Sequence, residues 1–353
     1  MAVGMDFGTM VLVVARKDAE GKTIASAERN CFYGVSPEWE NMLANNGYNF
    51  IKDTENGEER LYVVGKDALN LANLQAEKDF SGERKTGLRR PMQNMVINSK
   101  SDKKSIQMLK YMAQGLVGKP EKEGEVCVIS IPANPLSGGF NNQFHSTMCQ
   151  KFIEELGYTV YPIEEFLAVI YATNPQMEED GEVANMSGVG ISWGAGGTNC
   201  GVAYKGQPTI NFALDKGGDW LDTQVSTVTS LTSSEACSIK EKSSNEGKLD
   251  LENPNFEDDV LGAYYVYYES LIKNVVREYK KQFIENKINI TCPIEVIISG
   301  GTSKPKGFDV MLEKAIKEIS WPFDIKGIRR AKDPLASTAI GALTAAISKE
   351  KIK

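Results

Sequence analysis

Residues 189–206 read VGISWGAGGTNCGVAYKG. Two runs of strand length, one ending at Trp193 and one resuming at Thr198, flank a turn with almost no side chains: Gly194, Ala195, Gly196, Gly197. Such a turn lets backbone N–H groups approach something bulky, and successive inward amides make a nest for an anion, most often phosphate. A single turn of this kind is more often a plain hairpin. This chain has a second one, MDFGTM at 5–10, between apolar runs at 2–6 and 10–16. Each turn opens a meander of three expected strands, the first at 2–6, 10–16 and 22–29, the second at 188–194, 198–204 and 208–215. Strand–helix pairs follow each meander, so the same mixed α/β plan is expected twice. A third glycine site, ISGGTS at 298–303, ends an apolar strand and leads to a helix. A strand end at a crevice is where a nucleoside would sit.

The bulk composition agrees with a soluble two-domain protein. The chain has 353 residues, more than one hydrophobic core usually holds. Its net charge of −7 argues against nucleic acid or an anionic membrane surface as the main partner. Six cysteines lie apart, none in a C-x-x-C pair, and are expected to be reduced buried thiols. A single histidine, His145, leaves little material for a histidine-ligated metal or a Ser-His-Asp triad, and is expected to be structural or at the surface. Residues 1–15 lack a basic leader and Asp6 interrupts their apolar run, so no signal peptide is expected, no segment has the length of a membrane span, and the cytoplasm is the default. Residues 33–60 read as a polar, irregular insertion and 176–185 as an acidic loop. Helices are expected after 61–64, in the later part of 92–118 with Ile106, Leu109, Met112, Ala113 and Leu116 on one face, over 140–156, from Glu165, and at 219–232, 234–242, 259–286, 307–319 and 333–348.

Taken in order, these stretches resemble the ATPase superfamily of actin, the DnaK-type chaperones and the sugar kinases. GMDFGTM (4–10) resembles its first phosphate motif and GISWGAGGTNCGVA (190–203) its second. EVIISGGTSKPKGF (295–308) resembles the adenosine motif, while IEEFLAVIYA (163–172) and DPLASTAIGAL (333–343) resemble the two connecting helices. YVVGKDALNLA (62–72), RRPMQNMVI (89–97), GGDWLD (217–222) and IKEK (239–242) are similar to the bacterial actins MreB and MamK. The resemblance implies a two-domain actin-like ATPase fold, with duplicated ribonuclease-H-like domains on mixed five-stranded sheets and a nucleotide cleft between them. Domain I is expected over 1–160 plus the C-terminal helix 334–353, with a small outer subdomain at about 33–66. Domain II is expected over 161–333, with an outer subdomain at about 219–286.

It also implies ATP or ADP with Mg2+ as cofactors and assigns roles residue by residue. Asp6 would hold the metal through water, and Gly8, Thr9 and Met10 would form the first phosphate turn. Glu165 would orient or polarise the attacking water, with Glu164 its neighbour. Gly194, Ala195, Gly196, Gly197 and Thr198 would form the second phosphate turn, with Gly217 and Gly218 close to phosphate. Lys240, Gly300, Gly301, Thr302 and Ser303 would line the nucleoside. Four positions depart from the family pattern: Ser192 stands where an aspartate is usual, Gly197 and Asn199 replace a threonine and an acid, and Cys237 replaces a glutamate. The nest is intact, so phosphate binding is expected with slow hydrolysis. Asp219, near the start of an expected helix, reads as a capping residue.

The expectation is an actin-like ATP-binding protein that polymerises head to tail into filaments, its partner being itself together with an unidentified adaptor or cargo, with no direct nucleic-acid contact and no membrane helix. The alternatives are a DnaK-like chaperone ATPase, against which counts the lack of a linker and peptide-binding segment after the last motif, and a nucleotide-sensing scaffold that hardly cleaves ATP, which Ser192 favours. A small-molecule kinase would need a catalytic aspartate beside a second substrate pocket, and no segment stands out for it.

Overall fold

A computed structural model describes residues 2–55, 57–74, 77–78, 84–85, 87–179, 181–288, 290 and 292–351. Two five-stranded sheets carry the same plan. In the first, the opening strand Val3–Phe7 pairs antiparallel with Val11–Lys17, which pairs antiparallel with Thr23–Arg29. On its other side the opening strand runs parallel to Val126–Ile131, itself parallel to Thr159–Glu164. In the second sheet Gly188–Trp193, Thr198–Tyr204 and Gln207–Leu214 form the meander, and Ile294–Ser299 and Ile325–Arg330 complete it in parallel. The central strands are buried on both faces, so their sequences are continuous apolar runs without alternation.

One core joins the two sheets. It consists of the helices Glu165–Thr173 and Ser337–Glu350 with Ala15, Val126 and Val128 of the first sheet and Ala203 and Ile297 of the second. Small residues permit the close approach. A Cβ at Gly4 would overlap the backbone of Ala339 and Leu343, so the last helix lies directly on the opening strand. A Cβ at Gly190 would stand 2.8 Å from the carbonyl oxygen of Phe166, and one at Gly341 would overlap the carbonyl of Ala168. The two helices therefore touch backbone to backbone where they meet. Each sheet has a second core on its outer face, one around Leu109, Phe152 and Met5, the other around Trp193, Tyr268 and Phe308 under the long helix Asp259–Glu285.

Two regions differ from the sequence reading. The stretch expected to be irregular holds a three-stranded sheet, Phe32–Val35, Glu58–Val64 and Phe50–Glu55 in that order, around Leu43, Leu61 and Leu71. The acidic stretch is a hairpin, Gln176–Glu179 with Glu182–Asn185. His145 is buried beside Cys149, which fits a structural residue, and burial holds its pKa down to about 4. Cys31, Cys127, Cys149, Cys200 and Cys237 are buried free thiols and Cys292 is partly buried. No helix among the described residues is long and apolar enough to cross a membrane. The closing segment expected over 334–353 runs past the described residues at 352–353.

Candidate functional site

A cavity of about 340 Å³ lies between the two sheets at the carboxyl ends of their central strands, the usual ligand position in α/β folds. It is lined by the ends of three strands: Asp6 on the first, Ser192 on its counterpart in the second sheet, and Gly300–Thr302 after Ile294–Ser299. The two glycine turns face each other across it. A Cβ at Gly196 would overlap Thr9 Oγ1, so the turns are in contact. Buried Asn30 fixes the first turn: its Nδ2 donates to the Gly8 carbonyl at 2.9 Å and its backbone N–H to that of Met10 at 3.0 Å. In the second turn the carbonyl of Gly194 accepts from the Gly218 N–H at 3.0 Å and from Thr302 Oγ1 at 2.8 Å, while that of Ala195 accepts from the Asp219 N–H at 2.9 Å. Carbonyls engaged away from the cavity leave a turn free to present its amides inward.

At the foot of the turns stand two carboxyl groups. Ser130 Oγ donates to Asp6 Oδ1 at 2.5 Å. Burial raises the Asp6 pKa to about 6 even though that hydrogen bond lowers it. Glu165 opens its helix, and each of its carboxyl oxygens has a donor: Ser192 Oγ to Oε1 at 2.6 Å and Asn199 Nδ2 to Oε2 at 2.6 Å. Ser192 and Asn199 are directly opposed across their antiparallel pair, which is why both reach one carboxyl group. Asn199 Oδ1 accepts the N–H of Ala133 at 2.9 Å, which fixes the amide so that its nitrogen faces Glu165. Burial, then the nearby Asp6 charge, push the Glu165 pKa up to about 8 against the two hydrogen bonds.

Another part of the cavity wall is built on Lys240, in the helix Ser233–Asn245, whose start is held by a capping box of Thr232 and Glu235. Lys240 is 8 % exposed. Its ammonium pairs with Asp222 Oδ1 at 2.7 Å and donates to the Gly218 carbonyl at 3.1 Å; the same Asp222 oxygen accepts from Tyr264 Oη at 2.7 Å. Two ion pairs span the cleft: Arg29 with Glu241 at 2.7 Å and Arg90 with Asp219 at 2.8 Å.

Of the residues singled out in the sequence, the cavity brings together Asp6, Gly8, Thr9, Met10, Glu165, Ser192, Gly194, Ala195, Gly196, Gly197, Gly218, Lys240, Gly300, Gly301 and Thr302. Three stand behind its wall. Thr198 donates to the Lys216 carbonyl, Ser303 to that of Gly300, and a Cβ at Gly217 would lie 2.5 Å from the Gly194 carbonyl oxygen. Gly217 therefore backs the second glycine turn. The capping role read for Asp219 is corrected. Gly217 is the N-cap of the helix Gly218–Val228, without a side-chain cap, and Asp219 is drawn to Arg90. Asn30, Ser130, Asp222 and Met95 were not singled out, because their partners are distant in sequence.

A family model matches residues 1–346, and its description is Volactin. The chain belongs to the volactin family. No match to it was found among curated proteins. Among solved structures, this volactin-family chain is similar to MamK in its double helical filament, with a TM-score of 0.70 and 18 % identity over 98 % of both chains. It is also similar to MreB5 of Spiroplasma citri bound to ADP, with a TM-score of 0.59 and 13 % identity over 99 % of this chain and 96 % of the other. The ethanolamine utilization protein EutJ from Carboxydothermus hydrogenoformans matches with a TM-score of 0.53 and 16 % identity over 97 % of this chain and 89 % of the other. These likenesses establish the two-domain actin-like fold, as the order of motifs implies.

Proposed function

We propose that this volactin-family chain binds ATP between its two glycine turns, hydrolyses it slowly, and assembles head to tail into filaments whose stability follows the bound nucleotide. The observation that carries the reading is the contact of the two turns across a cavity with Asp6 and Glu165 at its foot. Backbone amides of Gly8–Met10 and Ala195–Gly197 would receive the phosphates, the Gly194 N–H being spent on the Gly197 carbonyl at 2.9 Å, and Gly300–Thr302 with the Lys240 helix would hold the nucleoside. The donor set suits magnesium held mostly by water and phosphate: Asp6 offers one carboxylate, and among the described residues no group of three or more His, Cys, Asp or Glu could cage a metal directly. When bound, Mg2+ neutralises charge on the phosphate oxygens.

Glu165 is the general base of this reading. Its carboxylate takes a proton from the attacking water as the oxygen bonds to the terminal phosphorus and the bond to ADP breaks, leaving the electron pair on the departing oxygen. Ser192 and Asn199 aim that carboxylate. Assembly is supported by the filament in which the MamK chain was solved, and a head-to-tail contact that does not close makes filaments. The second reading, a nucleotide-sensing scaffold, is favoured by Ser192, a neutral group at the end of the strand that matches the Asp6 strand. Sedimentation and negative-stain microscopy with magnesium and ATP, ADP or no nucleotide test the assignment. Filaments that depend on ATP are expected. A protein that binds ATP and stays monomeric over a wide range of concentration and salt would refute polymerisation.

A further inference from the structure

The turn Asn94–Met95 joins the short strands Met92–Gln93 and Val96–Ile97, and both of its residues have positive φ, 48° and 70°. Such a turn favours Asn or Gly, and a methionine there costs about 1 kcal/mol. Its side chain must be held by something. Met95 is 5 % exposed, and it packs on Ala133 and Ala213 from opposite sides of the cleft. A Cβ at Gly197 would lie 2.5 Å from Met95 Sδ, and a Cβ at Gly196 would lie 2.6 Å from the Met95 backbone nitrogen. The thioether therefore fills a socket that exists only because the second phosphate turn is glycine there. Asn199 Nδ2, the group that donates to Glu165, also donates to Met95 Sδ at 3.4 Å. Met95 lines the cavity beside Asn199 and Glu165. A flexible, polarisable side chain suits an irregular gap of this kind.

We propose that Met95 is a positioning residue: seated in the Gly196–Gly197 socket, it keeps water from reaching Glu165 from behind the phosphate turn and holds the Asn199 amide in place, so that hydrolysis requires the hairpin to be docked. This rests on the ATPase reading above. Opening the socket lets water solvate Glu165 and leaves the Asn199 amide held by the Ala133 N–H without the thioether beside it, so the carboxylate loses part of its aim while the amides of the glycine turn stay.

The test has two arms. In nucleotide-free protein labelled with 13C at the methionine methyls, the Met95 signal is assigned by its loss in Met95→Leu and followed against pH. It is expected to titrate with a midpoint near the raised Glu165 value, about 8, and to be static in Glu165→Gln. In single-turnover hydrolysis, Met95→Ala is expected to slow cleavage about tenfold, the size of a modest misplacement, with ATP affinity measured by a fluorescent analogue unchanged. Met95→Leu, which refills the socket, recovers most of that loss. A purely structural role would lower affinity, stability and rate together and leave Leu no better than Ala. Wild-type speed in Met95→Ala, or a Met95 methyl blind to Glu165, overturns the proposal. If the wild-type chain binds ATP without cleaving it, the ATPase reading falls, and the methyl titration alone decides whether Met95 covers Glu165.

Discussion

Replacing Glu165 by glutamine tests the electrostatics of the site without any ligand. In the folded protein Glu165 holds its proton up to about pH 8, against an ordinary value of 4.5. Below the ordinary value the group is neutral in both folded and unfolded chains. Between the two values the unfolded chain has released the proton and the folded one has kept it, so the folded state loses stability as pH rises through this window. Above about pH 8 the loss is complete. At about 1.4 kcal/mol per pH unit, the interval sets a ceiling of about 5 kcal/mol. Cavity water and the shared titration with Asp6 reduce it to on the order of 2–3 kcal/mol. Glutamine stays neutral and fits the same partners: its oxygen accepts from Asn199 and its amide donates to the Ser192 hydroxyl, which can rotate to accept.

The expected outcome is therefore a stability gap between Glu165→Gln and wild type that widens as pH rises. It is read from urea denaturation of nucleotide- and magnesium-free protein between about pH 5 and about pH 9, where the gap should grow by on the order of 2–3 kcal/mol. Every other titrating group except Asp6 is common to both proteins and cancels, and the shared titration with Asp6 is already taken into the reduced figure. A gap that is constant across this range, or that narrows with pH, would refute the reasoning, since Glu165 would then be titrating as an ordinary solvated carboxyl group.

Two further substitutions probe the frame around the site. Gly341→Ala drives a methyl group into the Ala168 carbonyl where the two inter-sheet helices touch; overpacking of at least about 2 kcal/mol is expected, visible as a lower melting temperature, and an unchanged one would show that the helices can separate freely. Asp222→Asn leaves the buried Lys240 ammonium without its counter-charge. A loss of about 3 kcal/mol is expected, together with weaker ATP binding by calorimetry, and wild-type stability would mean that Lys240 finds solvent.

Most of the frame is legible in the sequence because the meanders are buried strands with sharp turns, and local chemistry fixes both. The glycine turns are found the same way, whereas Asp6 and Glu165 are picked out by the resemblance of residues 4–10 and 163–172 to the motifs of the superfamily. The edge strand Ile325–Arg330 is harder to read. IKGIRR carries lysine and arginines because it borders the sheet on one side only, and its half-exposed pattern hides it. The sheet within 32–64 is obscured by the polar residues of its exposed faces. Asp219 misleads for another reason. A residue of this type near a helix start predicts a cap, but Arg90 arrives from 129 positions away and captures the carboxylate. Ser130 and Met95 act across similar distances, 124 and 104 positions, and Asn30 across 22, and no local pattern in the sequence records such contacts.

Ser192 changes the reading of the site once its partner is known. As a residue standing where the family resemblance implies an aspartate, it reads as a lost charge at the end of its strand. In the structure it is also a donor, and it gives its hydrogen to Glu165 Oε1. An aspartate there would be acceptor-only when ionised and would stand against a second carboxylate already raised by the Asp6 charge. Either the proton count or the geometry of that trio would have to change. With serine and Asn199 as the two donors, one carboxyl group has all its strong partners on the protein and a single orientation. In the proposed reading the site would give up a carboxylate that could help place metal and water, and would gain a fixed base. Under the proposed reading, that exchange would suit a protein in which a bound nucleotide persists long enough to govern a slower event, such as growth of an assembly, more than one selected for rapid turnover.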